Sequence, residues 1–541
     1  MKGLMQNWPL TVDKILDHAN RNYPDREIVS RSVEGPIVTT TYREVYDRSR
    51  QLTAALQADG IVLSDRIGTI AWNTARHIEC WYGTMGMGAI LHTINPRLHP
   101  DQIAWLANDA NDRILIVDLT FVPIVEQIRD KLHTVEKVIV LCADDDLPES
   151  SIELTSYEAW IFGRDTSNVR WGQFDEETAC GLCYTSGTTG NPKGVLYSHR
   201  SNVLHAFMSL QPDAMNLSGA ATVLPVVPMF HANAWGLAFS CLAVGAKLVL
   251  PGPRMEPDAI YELLCEHDVT FTAAVPTVWM LLLNHLLEND LDLPALKRVV
   301  IGGTAVPERI LRTFEEKFGV DVIHAWGMTE TSPIGTIGTL PAQLRNAPLD
   351  ERVAHKLKQG RTPFGVEMKL VDDAGARLPH DGNTPGRVMV RGLAVVGSYF
   401  NGSGGNILDG DGFFDTGDIA TVDSLGTMQI TDRAKDVIKS GGEWISSIDI
   451  ENIAIGHPEV ANAAVIGVYH PKWDERPILI VQPVSGRSPT KDSVLAILEG
   501  KIAKWWMPDD VVMVDEIPLG PTGKNNKLAL RDQFKDFELS T

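Results

Sequence analysis

Tyr184-Thr185-Ser186-Gly187-Thr188-Thr189-Gly190-Asn191-Pro192-Lys193-Gly194 decides how the rest of the chain is read. An apolar run, Cys180 to Tyr184, leads into it, and Val195-Leu196-Tyr197 resumes at once. The segment is therefore a loop between two strands rather than a flexible linker. Its glycines let backbone N–H groups come close to an anion, and the hydroxyls of Thr185, Ser186, Thr188 and Thr189 add donors. Lys193 supplies the positive charge. The pattern is not a Walker A loop, which needs Gly-Lys-Ser/Thr opening a helix; here Pro192 precedes the lysine and Gly194 follows it. The expected ligand is a phosphate group.

The rest of the chain is hostile to such a ligand. Its 541 residues carry a formal net charge of −21, so a polyanion must be held by local donors against the overall field. The same charge excludes general nucleic-acid binding, which needs a basic surface. Composition is that of a globular protein, 44% hydrophobic and 22% charged, and the length calls for more than one domain. Met1 to Leu10 has one lysine and no apolar core of a signal peptide. The uncharged stretch Val269 to Leu287 contains Pro276, Asn284 and His285 and reads as strand, turn and helix rather than a membrane span. Cys180 and Cys183 form a C-x-x-C without a second pair at zinc spacing, so two buried core thiols and a reducing, cytoplasmic setting are expected.

Outward from the loop, helix and strand signals alternate. Thr41-Tyr42-Arg43-Glu44 is a capping box opening a helix that Gly60 closes. Strands are expected at Arg66–Ala71, Ala89–Ile94 and Ile114–Val117, with helices after Thr74 and Pro100. The pattern resumes at Lys247–Leu250, Phe271–Ala274, Val299–Ile301 and Val320–Ile323. Such alternation implies mostly parallel, helix-covered sheets. After Arg361, Val366–Val371 and Arg387–Arg391 among Gly/Pro turns predict a small β-rich subdomain. Beyond Asp432 a small α+β domain is expected, with an antiparallel pair Val460–Val468 and Pro477–Val484, a helix from Thr490 to Trp505 and a strand Val511–Val514. The fold class is thus α/β, with a large domain over 1–432 and a small mobile domain over 433–541.

The phosphate loop and its flanks resemble the signature of the ANL adenylating superfamily, which holds acyl-CoA synthetases, peptide-synthetase adenylation domains and beetle luciferases. Further landmarks recur in order: Gly302-Gly303-Thr304, Trp326-Gly327-Met328-Thr329-Glu330, Asp415-Thr416-Gly417-Asp418, Asp432-Arg433-Ala434-Lys435-Asp436 and Pro521-Thr522-Gly523-Lys524. The resemblance implies that Thr185, Ser186, Gly187, Thr188, Thr189, Gly190 and Lys193 hold the phosphates of ATP. It puts Gly302, Gly303, Thr304, Ala325, Gly327 and Met328 along the nucleotide, with Trp326 stacked on adenine and Thr329 at the α-phosphate. Glu330, with Thr185, would hold Mg²⁺. Asp418 would accept from both ribose hydroxyls, and Arg433 would contact the ribose. Tyr is commoner than Trp at position 326 in the family, and Gly commoner than Asp at 432.

The same resemblance makes Lys435 a hinge that lets the C-terminal domain present two faces to one site. One face would carry Lys524, bridging acid carboxylate and α-phosphate. The other would carry the coenzyme A tunnel, Lys439, Gly441, Gly442 and Glu443. His231, Trp235, Gly302 and Pro333 would bind the acid, with Trp235, four residues after His231, on the same helical face and shortening the pocket. The stretch Ile438 to Ser447 resembles the short- and medium-chain branch, and the overall resemblance makes 3-(methylsulfanyl)propanoate the expected acid. The implied reaction is acyl-adenylate formation followed by transfer to coenzyme A. A stand-alone adenylation enzyme loading a carrier protein in trans is the alternative. Small-molecule substrates are the expected partners, without nucleic acid or a membrane span, and a homodimer is compatible with the resemblance.

Overall fold

The computed structural model describes all residues except Lys2, 186–190, 434–435, 437, 441–442, 521–523, 536, 538 and 540–541, together with the side chains of Arg433, Lys439, Glu443 and Trp444. Four sheets organise the chain. The first has seven strands in the order Thr155–Ser156, Lys137–Val140, Asp112–Val117, Arg66–Ile70, Ile90–Thr93, Ala179–Tyr184 and Gly194–Ser198. All its neighbours are parallel except the last pair. The second has eight strands, and its parallel centre runs Lys247–Leu250, Thr222–Pro225, Phe271–Ala274, Arg298–Gly302 and Asp321–Gly327. Helices cover both sheets, as alternation in the sequence requires.

Local signals explain where these elements start and stop. The Thr41 hydroxyl accepts the Glu44 N–H while the Glu44 side chain takes the Thr41 N–H, closing the capping box on helix Tyr42–Ala58. Thr74 caps helix Ala75–Gly86 in the same sense. The uncharged stretch resolves into strand Phe271–Ala274 and helix Pro276–Glu288. Cys180 and Cys183 are buried; burial pushes the Cys180 thiol up to about 12 and raises that of Cys183.

A four-stranded antiparallel sheet follows, Val366–Val371, Gly386–Gly392, Phe414–Val422 and Met428–Arg433. The last sheet pairs Val460–His470 with Asp474–Pro483, antiparallel, and adds Asp510–Met513 parallel to the latter. One expectation fails here. The helix predicted to reach Trp505 is only Lys491–Leu498, because Gly500 turns left-handed (φ +73°) and the chain restarts as a short 3-10 turn, Lys504–Trp506. Residues 434–437 connect the third sheet to the fourth, so the expected hinge, Lys435, lies outside the described residues. Across this connection the buried Asp432 carboxylate accepts the Ser447 N–H at 2.8 Å, at the start of helix Ser447–Ile455.

Candidate functional site

Strand ends build one wall of the site. Ala179–Tyr184 and Gly194–Ser198 are antiparallel neighbours with Tyr184 opposite Gly194, and the Thr185 N–H donates to the Lys193 carbonyl at 2.9 Å. The two ends of the phosphate loop are thus tied together at its neck. Ser186, Gly187, Thr188, Thr189 and Gly190 lie outside the described residues. Lys193 is half-buried, with Nζ 5.0 Å from the centre of the Tyr399 ring, which holds its charge beside the loop. In the larger sheet Gly302 pairs with Ala325, so Gly303, Thr304 and the segment Trp326–Glu330 leave the sheet side by side. Gly303 has φ +90°, a conformation that favours glycine.

Two carboxylates stand at this edge, each already engaged by an aromatic side chain. The indole N–H of Trp326 donates to Asp418 Oδ2 at 2.9 Å. Asp418 comes from the antiparallel sheet, where it lies opposite Arg433. The Trp326 ring is buried against Gly335, where a methyl group would collide with it. The Tyr399 hydroxyl donates to Glu330 Oε1 at 2.7 Å, and the Tyr197 hydroxyl donates to the Thr329 carbonyl at 2.8 Å. The Glu330 carbonyl in turn accepts the Val396 N–H at 2.8 Å. Thr329 and Glu330 are therefore fixed from two directions. Neither tyrosine was singled out from the sequence; Tyr399 is 69 residues from Glu330, and nothing in its local pattern marks it.

The acid side is built differently. His231 leads into a turn, Ala232–Gly236, that is not a right-handed helix: φ is +31° at Ala232, +57° at Asn233, +50° at Ala234, +54° at Trp235 and +79° at Gly236. The expected shared helical face of His231 and Trp235 is therefore wrong. Tertiary contacts override the local tendency, since left-handed backbone costs about 1–2 kcal/mol at each such non-glycine residue. Trp235 is half-buried, and a Cβ on Gly302 would stand 3.2 Å from the tip of its indole. Trp235 and Gly302 thus meet. The loop before the turn is held by Asn73, which donates to the Pro225 and Val227 carbonyls and accepts the Met229 N–H. His205 Nε2 accepts the Ile334 N–H at 3.2 Å, one residue past Pro333.

His231 Nε2 is buried and has no hydrogen-bond partner among the described residues. Burial, then Arg97, then Lys524 push its imidazole down to about 4, so the ring is neutral near pH 7. The charge of Lys524, on the last sheet's side of the connection, adds to that of Arg97 in disfavouring the protonated ring. Arg97 is a neighbour the sequence reading missed. Lys435, Gly441 and Gly442 lie outside the described residues, as do the side chains of Arg433, Lys439 and Glu443. No cluster of three or more His, Cys, Asp or Glu that could hold a metal occurs among the described residues. A single carboxylate, Glu330, with the Thr185 hydroxyl suits a Mg²⁺ that arrives on phosphate oxygens and keeps few protein ligands. A cleft of about 670 Å³ lies elsewhere, between the Val306–Ile310 region and Ile448–Ile453. None of the candidate site residues lines it.

The model of AMP-binding enzymes matches residues 16–400. The chain belongs to the AMP-binding enzyme family. The C-terminal domain of AMP-binding enzymes matches residues 449–524. Among curated relatives, a 3-methylmercaptopropionyl-CoA ligase of Ruegeria lacuscaerulensis is 49% identical over 539 residues, 99% of each chain. A medium-chain-fatty-acid–CoA ligase of Ectopseudomonas oleovorans is 45% identical over 540 residues, 100% of this chain and 98% of its own. Among solved structures, an anthranilate CoA ligase in complex with anthranoyl-AMP superposes with a TM-score of 0.85 at 25% identity, covering 99% of both chains. The fold and the order of landmarks are those of the ANL adenylate-forming enzymes. No helix among the described residues is long and apolar enough to cross a membrane.

Proposed function

We propose that this AMP-binding enzyme activates a short- to medium-chain linear acid, with 3-(methylsulfanyl)propanoate the acid best supported, and that Lys524 and the strand-end residues carry the first step. The chain is an ATP-dependent acid–CoA ligase. The observation that supports the acid assignment is the approach of the Trp235 indole to Gly302, which would close one end of a pocket assigned to His231, Trp235, Gly302 and Pro333. The identity to a 3-methylmercaptopropionyl-CoA ligase supports the thioether acid. The domain division at 432/433, with a hinge at Lys435, is part of the same proposal.

The chemistry follows from charge. The acid's carboxylate oxygen is itself the nucleophile, so the first step needs no base. It attacks the α-phosphorus, and the bond to pyrophosphate breaks. Two anions must be brought together, and Lys524 with Thr329 is assigned to relieve that repulsion. Mg²⁺ bound with the phosphates would neutralise charge and steady the leaving pyrophosphate. Glu330 and Thr185 would hold it, and Tyr399 keeps the Glu330 carboxylate oriented. Asp418, Arg433, Trp326 and the Gly302–Thr304 turn are assigned to the nucleoside, with Ala325, Gly327 and Met328 beside it. The loop Thr185–Gly190 with Lys193 takes the phosphates. Neutral His231 offers an unpartnered ring nitrogen to a carboxylate oxygen, and Pro333 lines the acid pocket.

In the second step the thiol sulfur attacks the acyl carbon, the mixed anhydride breaks, and AMP leaves. The coenzyme A path is assigned to Lys439, Gly441, Gly442 and Glu443, presented when the C-terminal domain turns about Lys435. The test is acid-dependent AMP formation with free coenzyme A over linear C2 to C10 acids, palmitate and 3-(methylsulfanyl)propanoate. Higher kcat/KM with palmitate than with butanoate or the thioether acid overturns the substrate assignment. AMP formation that ignores coenzyme A favours carrier loading in trans.

A further inference from the structure

The acid turn is left-handed at four residues that are not glycine, and only Asn233 is of a type that enters this region readily. Asn233 is 3% exposed, and its Nδ2 donates to Asn202 Oδ1 at 3.1 Å. Asn202 is 1% exposed and passes the chain on, its Nδ2 donating to Cys180 Sγ at 3.2 Å. Cys180 lies in the strand that runs into the phosphate loop. Three residues after Asn202, on the same face of helix His199–Ser209, stands His205. It meets the far end of the turn, where a methyl group on Gly236 would come within 2.8 Å of the imidazole. One helix face therefore grips the turn near its start through Asn202 and at its end through His205.

A buried amide pair does what an apolar contact cannot. Each amide must find partners in the right orientation, so the pair admits one arrangement of the backbone that carries it. Trp235 follows Asn233 by two residues, and its indole direction depends on the hand of the turn. Relaxed to right-handed backbone, the same residues would carry the indole away from Gly302.

We infer that the Asn202–Asn233 amide pair is a specificity-determining positioning device that sets the hand of the Ala232–Gly236 turn, and with it the depth of the acid pocket closed by Trp235. This rests on the assignment of Trp235 and Gly302 to that pocket. Neither asparagine touches the substrates. Their effect is on which acid fits, not on the nucleotide.

The experiment measures kcat/KM for octanoate and butanoate, and KM for ATP, in the full chain carrying Asn233→Val, Asn233→Gly, Asn202→Ala or Trp235→Ala. Val resists left-handed backbone, whereas Gly accepts it without the amide. Asn233→Val and Asn202→Ala are expected to raise the octanoate-to-butanoate ratio at least tenfold, with ATP KM within twofold. Asn233→Gly is expected to raise the ratio as well, but by less than Asn233→Val, because glycine admits both hands and nothing then selects the left-handed one. Should Asn233→Val fail to fold, the Asn202→Ala ratio decides. The inference is overturned if Asn202→Ala and any soluble Asn233→Val lower both acids equally or leave the ratio unchanged while Trp235→Ala changes it; the pocket assignment then stands. If Trp235→Ala leaves the ratio unchanged, the pocket assignment fails and takes the inference with it.

Discussion

The nucleotide wall and the acid wall of this site are made by opposite means. The first is a row of strand ends in relaxed backbone, with Asp418 and Glu330 each steadied by one aromatic donor. The second hangs on a left-handed turn held by side chains from a separate helix. A strand end is fixed by the ladder behind it, so it presents the same atoms whatever is bound. A turn held by a few buried side chains can be reset by changing those side chains. The contrast matches the chemistry: ATP is the same in every reaction of this kind, and the acid is not.

The largest effect should come from the nucleotide wall. Asp418→Ala removes the acceptor assigned to the ribose diol and strands the Trp326 indole N–H. Hydrogen bonds to charged groups contribute about 1.5–3 kcal/mol each, so losing two should lower kcat/KM for ATP about 10²–10⁴-fold. The melting temperature without ATP should fall modestly, because the stranded indole N–H costs about 1–3 kcal/mol. A collapse of the unliganded fold would mean that Asp418 serves the core instead. Next, Lys524→Ala should slow acyl-adenylate formation by about 10²–10³ while chemically made acyl-AMP is still converted to thioester. Gly442→Leu, in the segment assigned to the coenzyme A path, should show the reverse. Equal damage to both steps by Lys524→Ala would contradict the division of labour.

A smaller effect isolates the aromatic donor. Trp326→Phe keeps a smaller aromatic ring at the position assigned to adenine and removes the N–H to Asp418. It should raise ATP KM by about tenfold, the scale of one hydrogen bond to a carboxylate, and leave acid KM within twofold. A change confined to acid KM would dissolve the distinction between the walls.

The fold was legible where local chemistry decides it. Capping at Thr41, the strand Lys247–Leu250 and the strand–turn–helix of 269–287 all follow from patterns a few residues long. The order of the site landmarks was legible too: Gly302, Trp326–Gly327 and Arg433 close strands, whereas Asp418 lies within Phe414–Val422 and Lys524 outside any strand. The left-handed turn was not. Its residues, Ala-Asn-Ala-Trp, read locally as helix, and what overrides that reading is Asn202, 31 residues away. The Tyr399–Glu330 bond was hidden for the same reason, since the partners lie 69 residues apart, in connections that follow different strands.

The smallest effect concerns pH. His205 and His231, on the acid wall, are held down to about 4 by burial, against an ordinary value of 6.5. His77 and His324, elsewhere in the core, share that value for the same reason. At these four groups the unfolded chain therefore binds more protons than the folded one between about pH 6.5 and 4. Stability from these groups is fully present above 6.5 and erodes as pH falls through that window. Acid KM, which reports only the folded state, should stay flat from pH 8 to 5 while the melting temperature drops. A step in acid KM near pH 6.5 would mean that His231 titrates as an exposed histidine.

Asp432 stands where the family commonly carries glycine, and its carboxylate receives the first amide of the helix that opens the C-terminal domain. If that domain turns between the two steps, this contact is a clasp on the closed arrangement. A bond of about 1.5–3 kcal/mol lengthens the dwell before opening by one to two powers of ten. It also makes relatching after each turnover correspondingly sure. The frequency at which the enzyme changes stroke would then depend in part on this side chain, beside the Ser446 hydroxyl on the Thr431 carbonyl, and Asp432→Gly would quicken the beat at the expense of its regularity.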